Sequence, residues 1–300
     1  MKAPSEIRGV CPAVITPFGK DGNVDYEMYK KHASNLFDKG ASGLCIGGSS
    51  GEFEALSYEE VMEIAKTAVA VAAERNGYVI AGMGGRSTAE AIRYAQAYEK
   101  IGVDLLLVLP PYYYGFTREE IIQFYLDIAA SVKIPLMIYN NPGKTHVKIT
   151  ADMIAELAEK ADNIKFTKDS SEDVRMIYEV IKQTGGKVTV FAGWDSIMLE
   201  SLLMGAEGVF SGGGGNIITA EVVALYNLAM AKDYEGAMKQ YHKIRPLLEL
   251  VEDHGRLAAW LKAGVKLTCY DVGVARKPYA LIREDELAQL TNCLKEMGAI

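Results

Sequence analysis

Eight short apolar runs, at residues 10–16, 43–48, 78–83, 104–110, 135–139, 163–168, 188–193 and 208–211, punctuate the first two-thirds of the chain. Each has strand length and is apolar almost throughout, the pattern of a parallel strand covered on both faces, and segments of helical period fill most of the gaps. Three helix starts carry a capping box, Ser57 with Glu60, Ser87 with Glu90 and Thr117 with Glu120, where hydroxyl and carboxylate satisfy orphaned amide groups. Gly40, Gly102 and Gly205 stand at helix ends, where a left-handed cap is needed. Successive runs start 20 to 35 residues apart. That leaves one helix per crossover, and eight such units close a (β/α)8 TIM barrel. An open doubly wound sheet is the alternative arrangement of the same units. After Asn216 the strand pattern stops, and residues 233–251, 254–270 and 284–297 are helical in period. The expected organisation is a barrel over residues 1–231 carrying the active site and a C-terminal helical extension over 232–300.

Composition narrows the setting. A chain of 300 residues with 49% hydrophobic and 24% charged positions is globular and has the length of one large domain or two ordinary ones. Its longest apolar stretches, such as 103–111, stop well short of the roughly 20 residues that cross a bilayer. Residues 1–8 lack the basic-then-apolar order of a signal peptide, so a cytoplasmic protein is expected. A net charge of -7 opposes attraction to nucleic acid or to anionic lipid. Cys11, Cys45, Cys269 and Cys293 lie far apart with no C-x-x-C pair and read as reduced, buried small hydrophobes.

In a barrel the chemistry is sought where the strands end. The third, fourth and fifth runs end in Met83, Tyr112–Tyr114 and Tyr139, so the converging carboxylates of magnesium-assisted enolisation are missing. His32, His146, His242 and His254 share no metal-ligand spacing. Asp169 and Asp195 sit on strands suited to glycoside hydrolysis, but the fourth strand offers phenols. What remains is a lysine. Lys168 follows Ile164 and Phe166 at period two, which predicts all three on one face of the sixth strand, with Lys165 turned the other way as an ordinary solvated charge. If that face is the barrel interior, desolvation favours the neutral amine, which attacks a carbonyl; if not, the ammonium merely reaches out to water. Tyr139 either passes protons or is a hydrogen-bonded phenol at the rim. Residues 47–52 form a Gly- and Ser-rich loop in which Ser49, Ser50 and Gly51 make a compact cradle for a carboxylate, without a dinucleotide fingerprint. The 211–215 run beginning at Ser211 either holds a phosphate or leaves room for substrate.

Four motifs in order, G-G-S-S-G-E at 47–52, P-Y-Y-Y at 111–114, Y-N-N-P-G-K at 139–144 and N-I-K-F-T-K-D at 163–169, resemble the dihydrodipicolinate synthase and N-acetylneuraminate lyase family. The likeness runs from about Gly9 through the barrel, and the helical tail fits it. The resemblance implies a class I aldolase or lyase whose lysine forms a Schiff base with pyruvate or another 2-oxo acid, with no metal or organic cofactor. Lys168 takes the place of that lysine, Tyr139 that of a proton-shuttling tyrosine, and Ser49 and Ser50 that of the hydroxyl pair on the 2-oxo acid carboxylate. Tyr113 matches a tyrosine lent across a subunit interface, which implies a homo-oligomer, dimer or tetramer. Gly193 matches a pocket-lining backbone, and Asp195 and Ser196 fall where the lyase branch binds sugar hydroxyls. Lys144 stands where the synthase branch usually has an arginine that grips the aldehyde substrate's carboxylate. The reading drawn from these residues is a pyruvate-dependent aldolase or lyase that makes or breaks a carbon–carbon bond in a 2-oxo acid, a 3-deoxy sugar acid being one candidate. The alternatives are condensation of pyruvate with aspartate semialdehyde, cleavage of N-acetylneuraminate, dehydration of a 2-oxo acid on the same Schiff base, and noncatalytic sensing of a 2-oxo acid.

Overall fold

The computed structural model describes residues 2–84, 87–252 and 255–300. Eight strands, β1 Gly9–Pro12, β2 Gly43–Ile46, β3 Tyr78–Met83, β4 Leu105–Val108, β5 Leu136–Asn140, β6 Ile164–Asp169, β7 Thr189–Ala192 and β8 Gly208–Ser211, pair in parallel in the order β1-β8-β7-β6-β5-β4-β3-β2. The remaining seam between β1 and β2 is bridged by Ala13 beside Cys45, with the Val14 amide donating to the Cys45 carbonyl at 2.9 Å. The expected (β/α)8 barrel is therefore what forms, and the open sheet is not.

The crossovers are α1 Tyr26–Asp38, α2 Tyr58–Glu74, α3 Thr88–Ile101, α4 Arg118–Ser131, α5 Pro142–Thr145, α6 Ala151–Lys160, α7 Arg175–Thr184, α8 Met198–Leu203, α9 Gly214–Ile217 and α10 Thr219–Met230. Ser57 and Thr117 complete their capping boxes, and the Ser87 hydroxyl accepts the Glu90 amide. Gly102 caps α3 in the left-handed region at φ 94°. The tail adds α11 Tyr234–Glu252, α12 Leu257–Thr268 and α13 Glu284–Glu296. The expected start of the second tail helix at His254 lies outside the described residues. The tail does not stand apart: α11 packs on α10 and on the 195–197 turn, and α12 packs on α9 and on the Ser49–Gly51 turn. Among the described residues, no helix is long and apolar enough to cross a membrane.

Two apolar layers follow from strand alternation. One fills the space between sheet and helices; the other lies inside the barrel and includes Cys11, Ile80, Leu107, Met137, Phe166 and Phe210. One strand breaks the simple alternation. Leu136 is level with Ile164, but Met137 is level with Phe166, so β6 carries one extra residue there, a bulge. Ile164 consequently packs in the outer layer while Phe166 faces inward, which corrects the expectation that Ile164, Phe166 and Lys168 share a face. The cysteines also differ from expectation. Cys11 and Cys45 are buried, but Cys293 is half-buried and Cys269 is exposed where α12 ends at the surface; all four are free thiols.

Candidate active site

A cavity of about 100 Å³ opens at the C-terminal end of the barrel, lined among others by Ser49, Ser50, Tyr139, Lys144, Lys168, Gly193 and Asp195. Lys168 is the next-to-last residue of β6, level with Tyr139 on β5 and Phe191 on β7, and is only 8% exposed. Beside and beneath it Phe166, Phe191 and Phe210 stack edge to face, with centroids 6.2 Å and 5.4 Å apart, all three buried inside the barrel. Its Nζ stands 4.0 Å over the Tyr139 ring and 4.7 Å over the Phe210 ring, where the negative ring faces offset part of the lost hydration. Among the described residues no carboxylate forms an ion pair with it. Gly193 makes room for the stem: a Cβ there would lie 2.9 Å from Lys168 Cε and 2.2 Å from Ser170 Oγ.

The Tyr139 hydroxyl accepts a hydrogen bond from Asn141 Nδ2 at 2.9 Å. Burial alone would make this phenol harder to ionise, but the Lys168 charge and hydrogen bonds with Asn141, Lys168 and Ser170 outweigh it, so its pKa lies below the usual tyrosine value. The site thus pairs a lysine amine with a phenol that ionises more readily than an ordinary tyrosine.

On the opposite wall the 48–52 loop makes a single turn, with the Gly51 amide donating to Gly48 O at 3.0 Å and the Glu52 amide to Ser49 O at 3.1 Å. Ser50 is buried and Ser49 exposed, so one hydroxyl faces the barrel and the other the entrance. Gly51 is pinned under the β1 loop: Thr16 Oγ1 donates to its carbonyl at 2.7 Å, and a Cβ on it would lie 2.8 Å from Val14 O. Gly51 itself does not line the cavity.

The third wall is acidic. Asp195 is buried, with Oδ2 accepting the Gly213 and Gly214 amides at 2.7 Å and 3.2 Å, and among the described residues Oδ1 has no hydrogen-bond partner. Glu252, the last residue of α11, reaches the same wall and accepts the Asp195 and Ser196 amides at 2.5 Å and 3.0 Å. Burial and then the nearby Asp195 carboxylate push the Glu252 pKa up, and burial does the same to Asp195. Two carboxyls this close release their protons as a pair. Lys144 on α5 stands exposed at the rim of this lining.

Besides Gly51, three candidate residues from the sequence fall outside the cavity lining. Tyr113 is 86% exposed in a left-handed backbone conformation, φ 87°, packed edge-on against Tyr114. Ser196 donates its amide to Glu252, and its carbonyl accepts from the Tyr241 hydroxyl. Ser211 is buried beneath the site, its Oγ accepting the Gly215 amide at 2.7 Å. Sequence reading also passed over Asn141 and Glu252. Asn141 had a local signal, because an Asn before Pro142 caps α5 and its Oδ1 accepts the Lys144 amide at 3.2 Å. Glu252 had none, since it lies 57 residues from the backbone amide it serves. Among the described residues no three His, Cys, Asp or Glu side chains are grouped so as to hold a metal ion.

Comparison with known proteins places the chain as a whole. The dihydrodipicolinate synthetase family profile matches residues 6–297. The 4-hydroxy-tetrahydrodipicolinate synthase of Methanococcus aeolicus is 33% identical over 98% of this chain and 100% of its own length. That of Aquifex aeolicus is 31% identical over 97% of this chain and 96% of its own. Among solved structures, the chloride-inhibited dihydrodipicolinate synthase of Acinetobacter baumannii, complexed with pyruvate, superposes with a TM-score of 0.91 at 33% identity, covering 98% of this chain and 100% of that one.

Proposed function

The chain belongs to the dihydrodipicolinate synthetase family, and from that premise we propose that it is a class I lyase that binds pyruvate as a Schiff base on Lys168. The observation that carries the reading is the placement of Lys168 Nζ: closed off from bulk water, 4.0 Å over the Tyr139 ring, in a cavity whose far wall is the Ser49–Ser50 turn. The neutral amine adds to the C2 carbonyl of pyruvate, and the carbinolamine loses water to an iminium. That cation takes up the electron pair when a proton leaves C3, and the resulting enamine adds to an aldehyde; in reverse it accepts the pair of a breaking carbon–carbon bond. Tyr139 carries the protons, and the serine turn aligns the carboxylate so that the reacting bond lies along the π system. Neither step calls for a metal or an organic cofactor.

For the second substrate we favour aspartate semialdehyde, the partner in 4-hydroxy-tetrahydrodipicolinate synthesis; the support is that relatives matched over nearly their full length are 4-hydroxy-tetrahydrodipicolinate synthases. Lys144 supplies a cation for the semialdehyde carboxylate, though without the fork of an arginine. A second reading, aldol cleavage of a hydroxylated 2-oxo acid, is favoured by the unpartnered Asp195 Oδ1 beside Glu252, an acceptor suited to sugar hydroxyls. Borohydride reduction with pyruvate followed by peptide mapping tests the Schiff base: an adduct on Lys168 is expected, and one elsewhere overturns the assignment. Product analysis with pyruvate plus aspartate semialdehyde, against pyruvate release from 3-deoxy-2-oxo acids, then separates the two substrates.

Tyr113 enters this reading as a residue donated to a neighbouring subunit, a role supported by its exposure and its left-handed backbone. Mixing inactive Tyr113→Phe and Lys168→Ala chains tests it. Recovered turnover supports exchange across a homo-oligomer; none in a mixed assembly overturns it.

A further inference from the structure

Glu52 closes the serine turn, yet its side chain points away from the cavity and into the tail. It sits in the left-handed region, φ 59° and ψ 38°, as the joint between two tight turns, Ser49–Gly51 and Phe53–Ala55. A residue with a Cβ holds that conformation only where its surroundings fix it. Here both carboxylate oxygens are engaged from the far end of the sequence: Oε1 lies 2.7 Å from Lys262 Nζ on α12, and Oε2 accepts the Arg276 amide at 2.8 Å. Lys262 and Glu52 are 3% and 1% exposed. The Lys262 ammonium also donates to Val274 O at 2.9 Å and stands 4.1 Å over the Phe18 ring. The Arg276 guanidinium lies 4.3 Å over that same ring and bonds Ala55 O at 2.7 Å and both carboxylate oxygens of Glu60. The serine turn is thus gripped on one side by the β1 loop through Gly51 and on the other by α12 and the segment around Arg276, none of whose charged groups lines the cavity.

We propose that the buried Glu52–Lys262 pair, braced by Arg276, is a positioning device that holds the Ser49–Ser50 turn at the cavity wall and so sets how well the site takes a ketone bearing a carboxylate. The inference rests on the Schiff-base reading above. A buried ion pair contributes little net stability over an apolar pair of similar size, but it specifies geometry, and a carboxylate cradle is sensitive to displacements of a fraction of an ångström. The device acts on carboxylate recognition and leaves the amine untouched.

The test compares two ketones in borohydride trapping at Lys168: pyruvate, and hydroxyacetone, which has no carboxylate. In Lys262→Met the second-order trapping rate with pyruvate is expected to fall about tenfold, while that with hydroxyacetone stays within about twofold. Arg276→Met, at a half-buried position, gives the same selective loss to a smaller degree and decides the matter if Lys262→Met does not fold. Equal losses with both ketones, or unchanged trapping of pyruvate in folded variants, overturn the proposal. A wild-type chain that pyruvate does not label overturns the Schiff-base reading, and this one with it; a labelled wild type with unaltered variants overturns this one alone.

Discussion

Lys168 and Lys262 are both almost sealed from water, and the molecule treats them in opposite ways. Lys262 is given a carboxylate 2.7 Å away, a carbonyl and a ring face; burial still draws its ammonium down to about 8, although Glu52 works against that. Lys168 is given ring faces and a phenol, while Asp195 and Glu252 of the acidic wall are held by backbone amides. A lysine whose charge is matched is a structural cation. Burial is common to both, so what differs is the company each keeps: a carboxylate at Lys262, ring faces and a phenol at Lys168.

The largest effect expected from this contrast is at Lys168. Lys168→Ala should abolish borohydride trapping and cut turnover on the order of 10⁴-fold or more, with a smaller drop in unfolding midpoint than in Lys262→Met, since no carboxylate loses its ion-pair partner. A variant that still forms the adduct would erase the distinction. Lys262→Met should do the reverse in stability, losing about 3–5 kcal/mol in urea denaturation because Glu52 is left buried and unpaired. Adding Glu52→Gln should recover most of that loss, and no recovery would mean that the pair is not the cause. Next comes Tyr139→Phe, expected to slow turnover about 10²-fold or more while the Lys168 adduct still forms; turnover equal to wild type would remove the proton-carrying role.

The smallest effect is at Glu252. Its pKa is raised in the fold by burial and by Asp195, so the protonated carboxyl is the stabilising form: that contribution is complete below its ordinary value of 4.5 and is lost as the pH climbs toward the raised value. Glu252→Gln should therefore melt with wild type at about pH 4.5 and about 3 °C above it near pH 8. A gap that does not widen with pH counts against the buried acid pair.

Much of this was legible before any coordinates. The eight runs, the caps at Ser57 and Thr117 and the glycine stop at Gly102 predict the barrel, because period, cap and turn chemistry all point the same way. The strand ends also named the residues that line the cavity at Lys168, Tyr139, Ser49 and Ser50. Illegible were contacts with no local signature. Glu52 meets Lys262 across 210 positions of chain, and Glu252 comes back from the tail to the barrel mouth, so neither spacing nor period announces them. Ile164 was misassigned for a different reason, since strict alternation cannot register an inserted residue.

That inserted residue acts as a vernier. Had β6 kept the offset that sets Ile164 beside Leu136, Thr167 would stand on the rung of Tyr139, and Lys168 would have moved up beside Asn140 and turned toward the helices. One residue of slack early in the strand brings amine and phenol onto the same rung, so their alignment is set two to four residues before either of them is reached.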